Sequence, residues 1–473
     1  MGGERKVVWG LSETGMRKAL IVAGCGVAMA LPQVAWGQSI EDALIMAYHS
    51  NPTLLAQRAQ VRAVDEQVPQ ALSNWRPTVS FSGEFKKAIQ TTDAKLSTTA
   101  MIVENTDNLT PQTYTLTVTQ PLFRGFRTIA ETDRAEARVL AERARLADTE
   151  QTTFNNVISS YMDVVQNQAV LELNMNNEQV LTRQLEATRD RFEVGEVTRT
   201  DVSQAEARLA RAVADREKAE GDLATARATY QRVVGEIPGN LLAPASPTNL
   251  PENLEQAVLL ARDHNPSVVA ALYDERAAKE DIGLIEGELL PSLDIEGQYS
   301  RATDVSSRAT DIDTKSVALQ LTVPLYQSGS VYSRVREAKQ TASRSMIQIE
   351  EARRSAIETA TRAWEDLQTA RSQVGAFQKE SDSNQIALEG TEQEATAGLR
   401  TVLDILDAEQ ELLNSRVDLV KSQRNEVVAA YQVVAATGRL TARELALPVP
   451  YYDPAAHYED VREIGRASCR ERV

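Results

Sequence analysis

The chain repeats itself. His49-Ser50-Asn51-Pro52 returns as Asp263-His264-Asn265-Pro266, and Trp75-Arg76-Pro77 returns as Leu289-Leu290-Pro291, both 214 residues later. Beyond Pro77 the offset changes once. Pro121-Leu122-Phe123 answers to Pro324-Leu325-Tyr326, Gly195 to Gly398, Asp201 to Asp404, Ala205-Glu206 to Ala408-Glu409 and Gly235 to Gly438, all 203 residues apart. The copies therefore differ by 214 − 203 = 11 residues, and the whole difference falls between Pro77 and Pro121. A duplicated chain must fold as two like units that share one architecture. The repeats are placed at 38–250 and 251–447, with a leader at 1–37 and a tail at 448–473.

Within each copy the order is helix, two strands, then a helical hairpin. No proline lies between Pro121 and Pro238 or between Pro324 and Pro448, although the chain contains 16. Proline inside a helix removes a hydrogen bond and clashes with the preceding turn, so its exclusion over such lengths predicts continuous helix. Gly195 and Gly398 interrupt these stretches at positions where a left-handed turn costs glycine little. The expected hairpins run over about 125–236 and 329–440. The 70 residues from Gly125 to Gly195 correspond to roughly 100 Å of helix. Helices this long must pack side by side. Leu406, Leu413, Val420, Val427 and Val434 step by seven, with Val417 and Tyr431 between them, as on a coiled-coil seam. Phe154, Ile158, Tyr161 and Val165 step by three and four, and the alanines from Ala205 to Ala214 suit close helix approach.

The strands are expected at about 77–90 and 111–123, and again at 291–303 and 314–326. Thr113 to Phe123 places Tyr114, Leu116 and Val118 on one face and four threonines on the other. Val317, Leu319, Leu321 and Val323 repeat the scheme; Val79, Phe81 and Phe85, and Leu293, Ile295 and Tyr299, give weaker versions. Apolar and polar residues alternating over about ten positions fit a membrane strand with lipid on one side and water on the other. They fit equally a soluble antiparallel hairpin packed on a helix. Gln90 to Thr110 and Arg301 to Lys315 are then hairpin loops, with the 11 extra residues in the first. Trp75, Phe123 and Tyr326 lie at strand ends, where amphipathic rings mark a membrane interface or simply pack.

Arg17-Lys18 precedes the apolar run Ala19 to Leu31, and Ala35-Trp36-Gly37 supplies small residues before a cleavage point, so residues 1–37 read as a secretory signal peptide. Val22-Ala23-Gly24-Cys25 faintly resembles a lipoprotein box, but only six residues separate Lys18 from Cys25. Removing the four basic and two acidic residues of the leader takes the formal charge from −16 to −18. That disfavours nucleic acid as a partner. The two cysteines, Cys25 and Cys469, fall in the leader and the tail, and the three histidines lie far apart in sequence. Neither a metal site nor a cofactor is expected, and no nucleotide-binding or hydrolase motif gives an enzyme a starting point. The tail breaks every pattern, and its basic end, Gly465 to Val473, reads as disordered or foreign.

Four strands cannot close a membrane barrel, which needs about eight, and open edges cannot face lipid. Three copies would supply about twelve strands. The expected fold is mostly α with a membrane β part: a trimeric twelve-stranded barrel continued by a long α-helical coiled-coil tunnel.

The exported leader, the duplicated order of elements, Asn-Pro in each first helix, Arg191-Phe192-Glu193-Val194-Gly195 at one tip and Gly398-Leu399-Arg400-Thr401-Val402-Leu403-Asp404-Ile405-Leu406-Asp407-Ala408 at the other resemble the TolC family of outer-membrane efflux and type I secretion proteins. The resemblance covers roughly Ser39 to Leu447. It implies a homotrimer in outer-membrane lipid whose periplasmic end is docked by a periplasmic adaptor (membrane fusion) protein and an inner-membrane ABC or RND-type transporter. It further implies that Asp404 and Asp407 form an acidic ring at the tunnel entrance, that Arg400 is an entrance latch with Thr200 and Asp201 as partners across the interface, and that Val194, Gly195 and Gly398 touch the adaptor. The family uses a tyrosine where this chain has Ala395, so that part of the latch is absent or replaced. Simpler roles compete. Thr401-x-x-Asp404 and Thr198-x-x-Asp201 read as capping boxes, and Arg400 reads as an exposed arginine near a turn. The competing function is a soluble periplasmic coiled-coil adaptor or scaffold.

Overall fold

A computed structural model describes residues 38–96, 101–244, 247, 249–305 and 311–462. The expected leader lies outside the described residues. The first copy contains α1 (Ile40–Ser50), α2 (Pro52–Asp65), α3 (Gln67–Ser73), β1 (Thr78–Phe85), β2 (Ala88–Leu96), β3 (Met101–Leu109), β4 (Gln112–Arg124), α4 (Arg127–Glu193) and α5 (Arg199–Val234). The second contains α6 (Leu254–His264), α7 (Pro266–Glu286), β5 (Ser292–Thr303), β6 (Asp311–Thr322), α8 (Ser330–Thr396) and α9 (Val402–Ala436); α10 (Ala456–Arg462) follows.

The duplication is exact in the long helices: α4 and α8 are each 67 residues, or roughly 100 Å. Their return arms are shorter, 36 residues in α5 and 35 in α9. The turn glycines therefore fall past the middle of each stretch. On its strand side α4 packs instead against α2, α3 and α7.

The Asn-Pro pairs explain how each copy is tied. Asn51 caps α2 by accepting from the Thr53 N–H at 2.9 Å, and its amide donates to the Val233 carbonyl at 2.8 Å. Asn265 repeats this, accepting from the Ser267 N–H at 3.0 Å and donating to the Ala436 carbonyl at 3.2 Å. Val233 and Ala436 are themselves 203 residues apart. One side chain thus satisfies the start of one helix and the orphan carbonyls at the end of another.

The main core gathers Leu44, Leu54, Phe154, Ile158, Tyr161, Tyr230 and Val434 from α1, α2, α4, α5 and α9. The seam of the second hairpin differs from the expected one. Leu406 and Val434 are buried, but Leu413, Val420 and Val427 are only half-buried. The buried line runs instead through Glu409, Leu412, Ser415, Ser422, Ala429 and Ala436, and Ala205, Ala212, Ala219, Ala226 and Val233 form its counterpart on α5. Small residues let the backbones approach, so burial here follows closeness rather than apolar size.

The sheet is antiparallel throughout, in the order β1-β4-β5-β6, and the β4–β5 pairing joins the copies. The registers Phe81↔Leu116↔Tyr299, Val79↔Val118↔Gly297↔Val317 and Ile295↔Leu319 assemble one apolar face. Thr115 and Ser300, 3.3 Å apart through their hydroxyls, lie on the other. Among the described residues no helix covers the apolar face: Val79, Phe81, Phe85, Val317, Leu319 and Leu321 are all exposed. That is the arrangement of strands facing lipid, not of a soluble hairpin seated on a helix. At the sheet's lower end Gly125 and Gly287 bring the start of α4 against the end of α7, where a Cβ on Gly125 would lie 2.3 Å from the Gly287 carbonyl oxygen. Among the described residues no helix is long and apolar enough to cross a membrane.

Three further expectations are corrected. The segment Gln90 to Thr110 is not a simple loop. β1 stops before Lys86, whose N–H bonds the Pro111 carbonyl at 2.9 Å, and β2 and β3 then form a separate two-stranded ribbon. The 11 extra residues of the first copy lie in this region, where Thr91-Thr92 and Ile102-Val103 favour strand. In the second copy the strands run past the expected loop edges, to Thr303 and from Asp311. Nor is 448–462 disordered. Val449 is buried, the Tyr452 N–H donates to the Tyr48 hydroxyl at 2.9 Å, and the Arg58 guanidinium lies 4.3 Å from the Tyr48 ring centre and 5.1 Å from that of Tyr452. Arg462 then pairs with Glu136 at 3.0 Å. Residues 463–473 lie outside the described residues.

Candidate functional site

The two hairpin turns lie at the ends of α4 and α8 that point away from the sheet, and they are built alike. Gly195 at φ +82° and Gly398 at φ +76° end their helices in the left-handed region. Glu196 N–H then returns to the Arg191 carbonyl and Leu399 N–H to that of Glu394, both at 2.9 Å. Nothing lies within 4 Å of a Cβ built on either glycine. Glycine is needed here for its backbone alone, and the space beside it is free for a partner.

Both return arms start with a capping box. Asp404 Oδ2 accepts from the Thr401 N–H and hydroxyl, each at 2.8 Å, while the Thr401 hydroxyl accepts from the Asp404 N–H at 3.3 Å. Asp201 and Thr198 repeat the arrangement. The bonds from Thr401, with the Arg400 charge nearby, hold the Asp404 carboxyl below the usual aspartate range. The capping role of Asp404 is thus present, and it keeps the carboxylate ionised.

Asp407 is not a free carboxylate within the chain. It pairs with Arg208 of α5, linking the second hairpin to the first. Sequence reasoning missed Arg208; the signal was that Gln204, the first-copy counterpart of Asp407, lies one turn before it. Arg400 donates to Glu394 at 2.8 Å within its own tip. The chain does not bring Arg400 onto Thr200 or Asp201, and Asp201 is engaged by Thr198. Val194 is exposed, 73 % of its surface being free.

Behind the tips, Leu181, Leu185, Ala205 and Ala212 of the first hairpin pack with Val402 and Leu406 of α9, and α8 contributes nothing to this cluster. Glu409, also missed, is buried on α9; desolvation and then the Glu392 charge push its carboxyl up to about 7.

A two-faced membrane sheet continued by two hairpins of roughly 100 Å, with acidic turns at the far end, defines an outer-membrane channel-tunnel. The chain matches the outer membrane efflux protein family over residues 44–236 and 258–439, and it belongs to that family. It is 33 % identical over 432 residues to the outer membrane efflux protein BepC of Brucella suis biovar 1, covering 91 % of this chain and 92 % of that one. It is 24 % identical over 441 residues to the outer membrane protein TolC of Vibrio cholerae serotype O1, covering 91 % and 97 %. The Campylobacter jejuni CmeC outer membrane channel shares the fold, with a TM-score of 0.75 at 15 % identity over 90 % of this chain and 89 % of that one. The protein is therefore an exit duct of the outer membrane with a large periplasmic part, a passive conduit and not an enzyme. The soluble-adaptor alternative falls.

Proposed function

We propose that three copies of this chain close one twelve-stranded barrel and one helical tunnel, and that the hairpin tips form its periplasmic entrance. The observation that carries this is the sheet's pair of open edges. Among the described residues β1 and β6 each pair on one side only, beside an exposed apolar face. Unpaired strand edges are not tolerated in lipid, and edge-to-edge closure by symmetry mates removes them. The lipid around the barrel, a periplasmic adaptor and an inner-membrane transporter of the ABC or RND type are the partners of such a duct. Val194, Gly195 and Gly398 present backbone and free space for the adaptor.

Asp404 and Asp407 line the entrance in this reading, with unequal charge. Three Asp404 carboxylates supply the uncompensated part, while each Asp407 is offset by Arg208. A narrow space with low-dielectric walls focuses such charge and favours cations. Arg400 is a latch only if a neighbouring protomer draws it from Glu394 to Thr200 or Asp201 across the interface. Planar-bilayer recording tests the entrance. Asp404→Ala lowers cation selectivity and weakens block by multivalent cations added from the periplasmic side, and Asp407→Ala does less. Unchanged selectivity and block in the double variant would reject the acidic ring.

A further inference from the structure

The second hairpin carries two acids where the first carries an ion pair. At the 203-residue offset Arg189 answers to Glu392 and Glu206 to Glu409. In the first hairpin Arg189 holds Glu206 at 2.6 Å across α4 and α5. In the second, the matching positions on α8 and α9 are both carboxylates. The two glutamates that correspond also differ in setting. Glu206 is exposed, whereas Glu409 lies in the buried seam beside Ile405, Leu406 and Leu412, is 8 % exposed, and has an Oε2 without a hydrogen-bond partner.

Several arginines of the tip-side half are engaged elsewhere. Arg189 of α4 holds Glu206, Arg208 of α5 holds Asp407, Arg400 at the tip holds Glu394, and Arg416 of α9 donates to Gln385 of α8. The charge that acts on Glu409 is that of Glu392, and it is repulsive. A buried carboxylate with one oxygen left without a donor and a like-charged neighbour has two remedies: a proton, or separation of the helices that bury it.

We propose that Glu409 is a proton-operated switch in the second hairpin, ionised and facing Glu392 when the tip-side half of α8 is loose on α9, protonated when that half is firmly closed. The proton comes from bulk solvent. The direction follows from the raised folded-state value: the penalty is absent below the ordinary glutamate range near 4.5, grows through the interval, and is complete above about 7. The second hairpin is therefore firmer in acid and looser at neutral pH and above. The first hairpin, with its ion pair, does not share this dependence. Any effect on passage through the duct rests on the entrance proposed above, but the effect on the hairpin does not.

Hydrogen exchange of the purified full-length chain in detergent, at about pH 8 and about pH 5.5 with intrinsic rates divided out, tests this. Protection of peptides within 381–412 rises at least about tenfold at the lower pH, while peptides within 178–209 hold steady. Glu409→Gln, nearly isosteric with the protonated acid, gives high protection at both pH values. Glu392→Arg, which restores the first copy's pair, does the same, and Glu409→Gln carries the test if that variant fails to fold. Equal protection of 381–412 at both pH values in the unaltered chain overturns the proposal, as does a difference that survives Glu409→Gln. Exchange that responds while bilayer conductance does not leaves the switch standing and overturns the entrance reading. The reverse result overturns the switch.

Discussion

The first hairpin and the second share a frame and differ in what fills it. Both have 67-residue outer arms, a left-handed glycine and a Thr-x-x-Asp cap. The first then seals its tip-side half with Leu181 and Leu185 against Ala205 and Ala212, and with the Arg189–Glu206 pair. In the second, Asn384 replaces Leu181, Leu388 is only half-buried, and Glu392 replaces Arg189. Backbone geometry after duplication is held by a few turn and cap residues, so side chains between them are free to diverge. With the switch proposed for Glu409, the divergence makes the first hairpin a fixed strut and the second one whose closure follows pH.

The largest effect that separates them is in the cluster. Leu185→Ala is expected to cost about 2–4 kcal/mol of local stability, by removing a buried leucine from a packed site. Leu388→Ala, half-exposed, should cost less than about 1.5 kcal/mol. Exchange protection of the two hairpins measures both, and equal losses would break the comparison. Leu406→Ala removes a side chain shared by the first hairpin and α9, and should lower protection in both at once.

Next come the glycines, where the hairpins should agree. Gly195→Ala and Gly398→Ala meet open space, so each costs only the left-handed backbone penalty of about 1–2 kcal/mol. A loss of barrel insertion in either variant would mean that the turn acts in folding of the sheet, roughly 100 Å away. The caps should agree as well. Thr198→Ala and Thr401→Ala each cost about 1 kcal/mol, read as fraying of the first turns of α5 and α9. Because the Asp404 carboxyl is held below its usual value, its contribution is full above the ordinary aspartate range near 3.8 and is lost only as pH falls through the lower folded-state value. The smallest effect is the cross-link between hairpins. Asp407→Asn should cost about 0.2–1 kcal/mol, and less as salt is raised. A double cycle with Arg208→Gln measures the coupling.

Much of this frame was legible because duplication converts one sequence into two readings. A single offset of 203 residues relates both turns and both caps. What escaped has physical reasons. The true seam is made of Ala205, Ala212, Ser415 and Ser422, residues that carry little hydrophobic signal, whereas Leu413 and Val420, two positions before the serines, carry a strong one. The final segment packs through Tyr452 on Tyr48 and Arg58, partners about 400 residues distant that no local pattern connects. Arg208 and Asp407 meet only once the hairpins lie side by side. The buried state of Glu409 was hidden by its repeat partner, Glu206, which is exposed.

The four-stranded sheet can sit in lipid only if other copies of the chain close it. Native mass spectrometry of the detergent-solubilised protein tests this most directly. It should give one species of three chains, which Val317→Asp on the lipid face weakens and which survives denaturing detergent until boiled. A stable one-chain or two-chain species would contradict it, because β1 and β6 would then remain open in the membrane.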